Sequence, residues 1–501
     1  MRISAFLPLS AMLGLAVVLT ACGGGGSSSS TTPPPTTNPA DALLSGNYAF
    51  NFSGQNKQGT SALFISGVFT ANGKGNITGG VEDISSNLGI TSNQSITGTY
   101  TIGSDGRGTM TVHANATQDF AFVVQTGNQG QIIWFDNAAT GSGTFYQQTS
   151  TSALTSGSYA FFWDGIDANG GTLTRVGAFS LSSGTISNGL SDLDDDGNVL
   201  QQTAGGSMSG PDSSGRGTAK ISFPASGGTT LTYAYDIVSS SRVLLMEIDG
   251  HGATVGEADL QKSGLTAASI TGDYVFSVGG DSSSGALAEA GEFNSNGVST
   301  FTGESTINNA GTGTIGQAMD GSYAIADTVN GVTVNGRGTA TLNGVGGFVF
   351  YIVSPSEIFL MENDGSAVAS GEMLAQLAPP YSTASLTGNY GFQFSGIDAG
   401  GVEIDASGQF DSGGSGAISS GTLDLNDEDA VTEPFFSSNT LSGASYTVDS
   451  TTVGRGTILY TAAGAGFAFT YYFVSPTQLV TVETDETFIS LGTAQSQPTI
   501  P

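Results

Sequence analysis

The chain has 501 residues, too many for one hydrophobic core and enough for roughly three to five domains. Gly supplies 76 of them, charged residues 11% and hydrophobic residues 38%, which excludes both a helical bundle and a disordered polymer. The formal net charge of −31 disfavours nucleic acid and anionic headgroups and favours cations or basic partners.

Residues 1–21 read as a targeting segment. Arg2 gives a positive start, an apolar run to Leu19 follows, and the run is shorter than the roughly 20 residues a spanning helix needs. The segment closes on Leu19-Thr20-Ala21-Cys22, a tetrad that resembles the lipobox of bacterial lipoproteins. The resemblance implies cleavage before Cys22 and lipidation of its thiol and new amino group. Gly23 follows the Cys where Asp would retain many lipoproteins at the inner membrane, so sorting to the outer membrane is expected, on its periplasmic or external side. Cys22 is the only cysteine, so the domains carry no disulfide and no thiol for catalysis or metal. Residues 22–43, rich in Gly, Ser, Thr and Pro, read as a flexible tether.

From Leu44 the chain repeats itself four times, over 44–148, 154–261, 270–376 and 386–497. Each copy opens on Gly-x-Tyr, with Tyr48, Tyr159, Tyr274 and Tyr390. Each carries Gly-Arg-Gly-Thr in its middle, at Arg107, Arg216, Arg337 and Arg455. Three copies then carry Glu-x-Asp (Glu247 and Asp249, Glu362 and Asp364, Glu483 and Asp485), where the first has Trp134 and Asp136. Each copy ends in a strand closing on Gln147, Gln261, Gln376 or Gln495.

Period-two alternation gives the strands. In the first copy eight begin near Asn47, Ala62, Asn76, Ile96, Thr109, Phe120, Gln131 and Gly143, separated by turns such as Ser104-Asp105-Gly106. Eight short consecutive strands favour an all-β, antiparallel up-and-down barrel in each copy, with a β-sandwich as the alternative. No repeat needs its neighbour to complete a sheet, so each is expected to fold alone. The opening Gly-x-Tyr resembles the Gly-x-Trp of lipocalins and avidins, whose first-strand ring is capped by an arginine at the barrel floor. It departs in having Tyr for Trp and an arginine in the fifth strand. The resemblance implies that Arg107, Arg216, Arg337 and Arg455 cap their own barrels, stacking on the tyrosine ring and bonding strand-end carbonyls.

Candidate chemistry is sparse. Asp192-x-Asp194-x-Asp196-Gly197 matches the first half of a calcium loop, although Thr203 stands where a bidentate Glu belongs; the other reading is a solvated acidic loop. Asp83, and Asp424 with Asn426, repeat fragments of that pattern. His113 and His251 fall at unrelated places in different copies, which argues against a shared triad or metal site and against an enzyme. Two function classes follow. One is a non-enzymatic surface protein that binds an unknown ligand, of the cationic kind the net charge favours, through repeated domains. The other is a carrier of small apolar ligands in cavities lined by residues such as Phe122 and Phe161.

Overall fold

A computed structural model describes residues 38–501 apart from 58–60, 87–88, 225–228, 330, 344–345, 378, 399, 428–434 and 486–487. Cys22 and the targeting segment lie outside the described residues. Three of the four repeats are closed eight-stranded antiparallel barrels in simple up-and-down order: barrel 1 (45–147), barrel 2 (157–260) and barrel 3 (271–375). Barrel 4 (387–496) is a nine-stranded sheet because its fourth strand breaks at Leu441 into Phe435–Thr440 and Ser442–Ser450. The edges meet again through Leu441 N to Gly421 O (3.0 Å), Tyr446 N to Gly416 O (2.8 Å) and one bridge, Ala417 to Ser445. The barrel expectation therefore holds over the sandwich.

Alternation turns one face of each strand inward. Tyr48 and Phe52 of Ser45–Asn56 join Ile65, Phe69, Phe122 and Phe145 in the core of barrel 1, and the equivalent rings fill the other barrels. Short 3-10 turns close one end of three barrels. Pro39–Leu43 is such a turn, with Ala40 and Asp41 buried and Tyr100 Oη donating to Leu44 O (2.6 Å), so order begins inside the stretch expected to be tether. The same plug recurs at Ala267–Ser269 under Tyr323 and Thr383–Ser385 under Tyr446.

The barrels are not beads on a string. The second strand of each packs its outward face on the last three strands of the following barrel, and the second strand of barrel 4 packs in the same way on barrel 1. Four head-to-tail contacts thus close into a ring. Three seams are apolar: Ala49 and Val68 meet Val238 and Leu244; Val176 and Leu190 meet Val349 and Phe359; Ala288 and Ala290 meet Val480 and Val482. The seam between barrels 4 and 1 is polar. There Asp405 accepts a bond from Thr140 Oγ1 (2.9 Å), and Gln131 Nε2 and Gln393 Nε2 donate across it to Thr493 Oγ1 (2.5 Å) and Ile132 O (3.0 Å).

Candidate binding chamber

The four repeated arginines build the seams, which corrects the capping expectation. Arg337 donates Nε and Nη2 to the two oxygens of Asp192 in barrel 2, both at 2.9 Å. Arg216 pairs with Asp83 of barrel 1 and with its own Asp236 (2.9 Å), Arg455 reaches Glu304 of barrel 3 (2.7 Å), and Arg107 reaches Asp424 of barrel 4 (2.6 Å). The reason is strand parity. Each arginine is flanked by a glycine whose position lies under an inward aromatic ring, so the arginine itself points outward. A Cβ on Gly108, Gly217, Gly338 or Gly456 would sit 2.2–2.4 Å from Phe122, Tyr235, Phe350 or Tyr471. The preceding glycine turns with positive φ, +72° at Gly336 and +76° at Gly454. The opening tyrosines stack instead on a phenylalanine of the second strand, as Tyr48 on Phe69 (5.1 Å) and Tyr274 on Phe293 (5.5 Å). Their hydroxyls satisfy nearby carbonyls, as Tyr274 Oη does for Pro355 O (2.7 Å).

A repeated glutamine completes each seam. Gln148, Gln261, Gln376 and Gln497 each donate Nε2 to two carbonyls of the next barrel, beside its arginine turn; Gln261 reaches Asn335 O and Ile352 O, both at 2.7 Å. The equivalent residues in the first and last copies are therefore Gln148 and Gln497, rather than Gln147 and Gln495.

The calcium pattern at Asp192, Asp194 and Asp196 does not converge on an ion. Asp192 is saturated by Arg337, Tyr351 Oη and Gln201 Nε2. Asp194 Oδ1 accepts from Gly197 N (2.9 Å), and Asp196 sits in the hairpin turn with φ +53°. Alternate strand positions share a face but stand too far apart to wrap a cation. His251 is exposed beside Asp249 (3.0 Å), and His113 is exposed at the end of a barrel 1 strand. The Glu-x-Asp pairs fasten the turn between the last two strands: Glu362 accepts from Ser366 Oγ (3.0 Å) and Ala367 N (3.1 Å). Burial, then the neighbouring Asp364, pushes Glu362 up to about 7, while Asp364 is held down at about 2.

Phe122 and Phe161 lie in filled cores. The interiors of barrels 1, 3 and 4 keep voids of about 20, 40 and 30 Å³. Inside barrel 2, Arg175 lies 4.0 Å over Phe223 and donates Nη1 to Ser191 Oγ and Gln202 Oε1, both at 2.9 Å.

The large cavity lies outside the barrels, where all four meet. It measures about 680 Å³ and is lined by outward residues of first and last strands: Asn51 and Ser53, Phe162 and Asp164, Ser277 and Gly279, Ser395 and Leu491. Among its lining residues Arg242 is the one base, stacked 4.6 Å over the Tyr146 ring and donating Nε to Glu257 (2.9 Å). Acids outnumber it. Asp164 accepts from Ser370 Oγ (2.7 Å) and burial pushes it up to about 6. Burial, then Glu357 and Glu257, pushes Glu372 up to about 7. The sequence carries no contiguous signal for this chamber, because its wall is assembled from residues scattered over the chain.

No protein-family model and no curated protein matches the chain. Solved structures that the chain matches weakly include CghA with Sch210972, at 10% identity over 90% of this chain and 88% of that one, with a TM-score of 0.13. CghA alone gives 10% identity, 92% and 93% coverage and a TM-score of 0.14. Overlays at such scores lend nothing to fold or function.

Proposed function

We propose that this chain is a non-enzymatic binding protein of the bacterial cell envelope, anchored by lipid at Cys22 and presenting its four barrels as one rigid head. The targeting segment and the single Cys placed at its end support the anchor and outer-membrane sorting. The observation that carries the binding reading is the acidic chamber of about 680 Å³, within the size range of small-molecule sites. It favours a cationic ligand over an apolar one. Apolar cargo in the barrels is less well supported, since a cavity of roughly 150 Å³ is what holds even a benzene, and the voids inside barrels 1, 3 and 4 are far smaller.

Thermal-shift titration of the detergent-solubilised full chain separates these readings. Small organic and inorganic cations should raise the melting temperature, and fatty acids should leave it unchanged. Stoichiometric fatty-acid binding would return the carrier reading. In cells, Cys22→Ala should abolish incorporation of a labelled acyl chain; continued labelling would remove the anchor.

A further inference from the structure

Beside the chamber, around Arg242, acid is concentrated beyond what that arginine neutralises. Glu257 and Asp259 of barrel 2 and Glu357 of barrel 3 each bring one carboxylate oxygen within 4.8 Å of the others. A single ion coordinated at roughly 2.3–2.6 Å bridges oxygens at that spacing. Arg242 takes Oε2 of Glu257 with both Nε and Nη2, which leaves Oε1 for another partner. An independent observation concerns Asp259. It is only 8% exposed, its buried Oδ2 receives no hydrogen bond, and its nearest cation is Arg242 Nε at 3.8 Å. A buried carboxylate oxygen left this way costs free energy unless a proton or a cation completes it.

We propose that Glu257, Asp259 and Glu357 hold one hard divalent cation, of the calcium class, between barrels 2 and 3, beside the chamber that Glu257 lines. All three donors are oxygens, which select a hard ion over zinc or copper. Glu372 adds a fourth carboxylate nearby, so one arginine faces four acids and a divalent ion offsets most of the formal excess. The adjoining cavity gives an entry path and room for water to fill the remaining coordination positions. The site is distinct from Asp192-x-Asp194-x-Asp196 and does not depend on how the chain is anchored.

The test is calcium titration of the purified full chain by calorimetry, with terbium as an optical probe excited through Tyr146. One tight site per chain is expected, with terbium emission displaced by calcium. Asp259→Asn and Glu357→Gln should each weaken binding beyond the roughly 10–100-fold typical of residues that merely support metal ligands. Both variants should melt in EDTA at or above the parent temperature, because each removes an uncompensated charge, yet gain nothing from calcium. Asp196→Asn is the control and should bind as the parent does. Weak many-site binding that both variants retain would overturn the proposal, as would loss of the tight site in Asp196→Asn.

Discussion

Arg337 and Asp192 stand 145 positions apart in the chain and share a bidentate ion pair buried between two barrels. Removing one partner of such a pair strands the other, so Arg337→Ala should destabilise the protein by about 3–5 kcal/mol. Arg337→Lys should recover little, since an ammonium cannot meet both oxygens in one plane. Replacing the whole polar cluster, as Arg337→Met with Asp192→Leu and Tyr351→Phe, should come close to neutral, because no buried hydroxyl is then stranded. Chemical denaturation of the three proteins checks this, and equal stabilities throughout would remove the pair from any structural role. Buried acids carry a second prediction at this scale. Burial pushes Glu289, inside barrel 3, up to about 7 and Glu483 up to about 9, both from 4.5. Between 4.5 and those values the folded chain holds protons that the unfolded chain has released. Stability contributed by these groups is thus complete below pH 4.5 and lost as pH rises through 7 to 9. The melting temperature should be higher at pH 5 than at pH 8, and Glu289→Gln should narrow the difference.

Strands were the most legible elements. The starts expected at Asn47, Ala62 and Asn76 fall at Ser45, Ser61 and Asn76. Gly89–Ile102 begins seven residues before the expected Ile96, because Thr91 to Ser95 is a polar stretch with no alternation to read. The arginine turn was legible as a repeated structural device, but not in its direction. A barrel-floor cap needs an inward arginine, whereas the glycine after each arginine takes the inward position under an aromatic ring. Gly338→Ala tests that geometry. Its Cβ would meet Phe350 Cζ at 2.2 Å, and forcing the ring aside should cost about 1–3 kcal/mol by overpacking. An unchanged melting temperature would mean that the ring is free to move. The seams left a signal that could have been found. Phe64 and Val68, or Val176 and Ala178, place apolar residues outward on second strands, where an isolated barrel would show water polar groups. Asp83, Asp192 and Asp424 recur on third strands as the acceptors of the next barrel's arginine, and fragments of a calcium loop were the wrong reason to align them.

At the scale of the molecule, every strand pairs within its own repeat and the sheets of barrels 1 to 3 close, so the expectation of self-completing sheets holds for those three. Independent folding does not follow from it, because an isolated barrel 2 would expose Val176 and Leu190, take Asp83 from Arg216 and leave Asp192 without Arg337. Calorimetry should show one transition for the ring and a lower melting temperature for residues 154–261 alone; equal temperatures would make the barrels independent modules. The polar seam should be the first to open. Its Asp405 is fully buried and raised to about 6 from 3.8, so its contribution to the seam is lost as pH rises through 6. Hydrogen exchange at Thr126 N, bonded across that seam to Ser496 O (2.8 Å), should quicken from pH 5 to pH 8 beyond the intrinsic chemical rate, and Asp405→Asn should suppress the excess.

Gln497 fastens the last barrel to Asp105 O and Val124 O of the first, so the covalent chain and the ring of contacts are two separate circuits around the same axis. Three barrel-to-barrel connections are made by both backbone and seam, and the fourth by seam alone. The backbone confines barrels 1 and 4 to a small shared volume, at an effective concentration of the order of millimolar, which lets a seam too weak for two free proteins stay shut. The converse also holds. A protease that cuts once between barrels 2 and 3 breaks one circuit and leaves the other whole, so the nicked protein should run as two fragments in denaturant and as one particle in buffer.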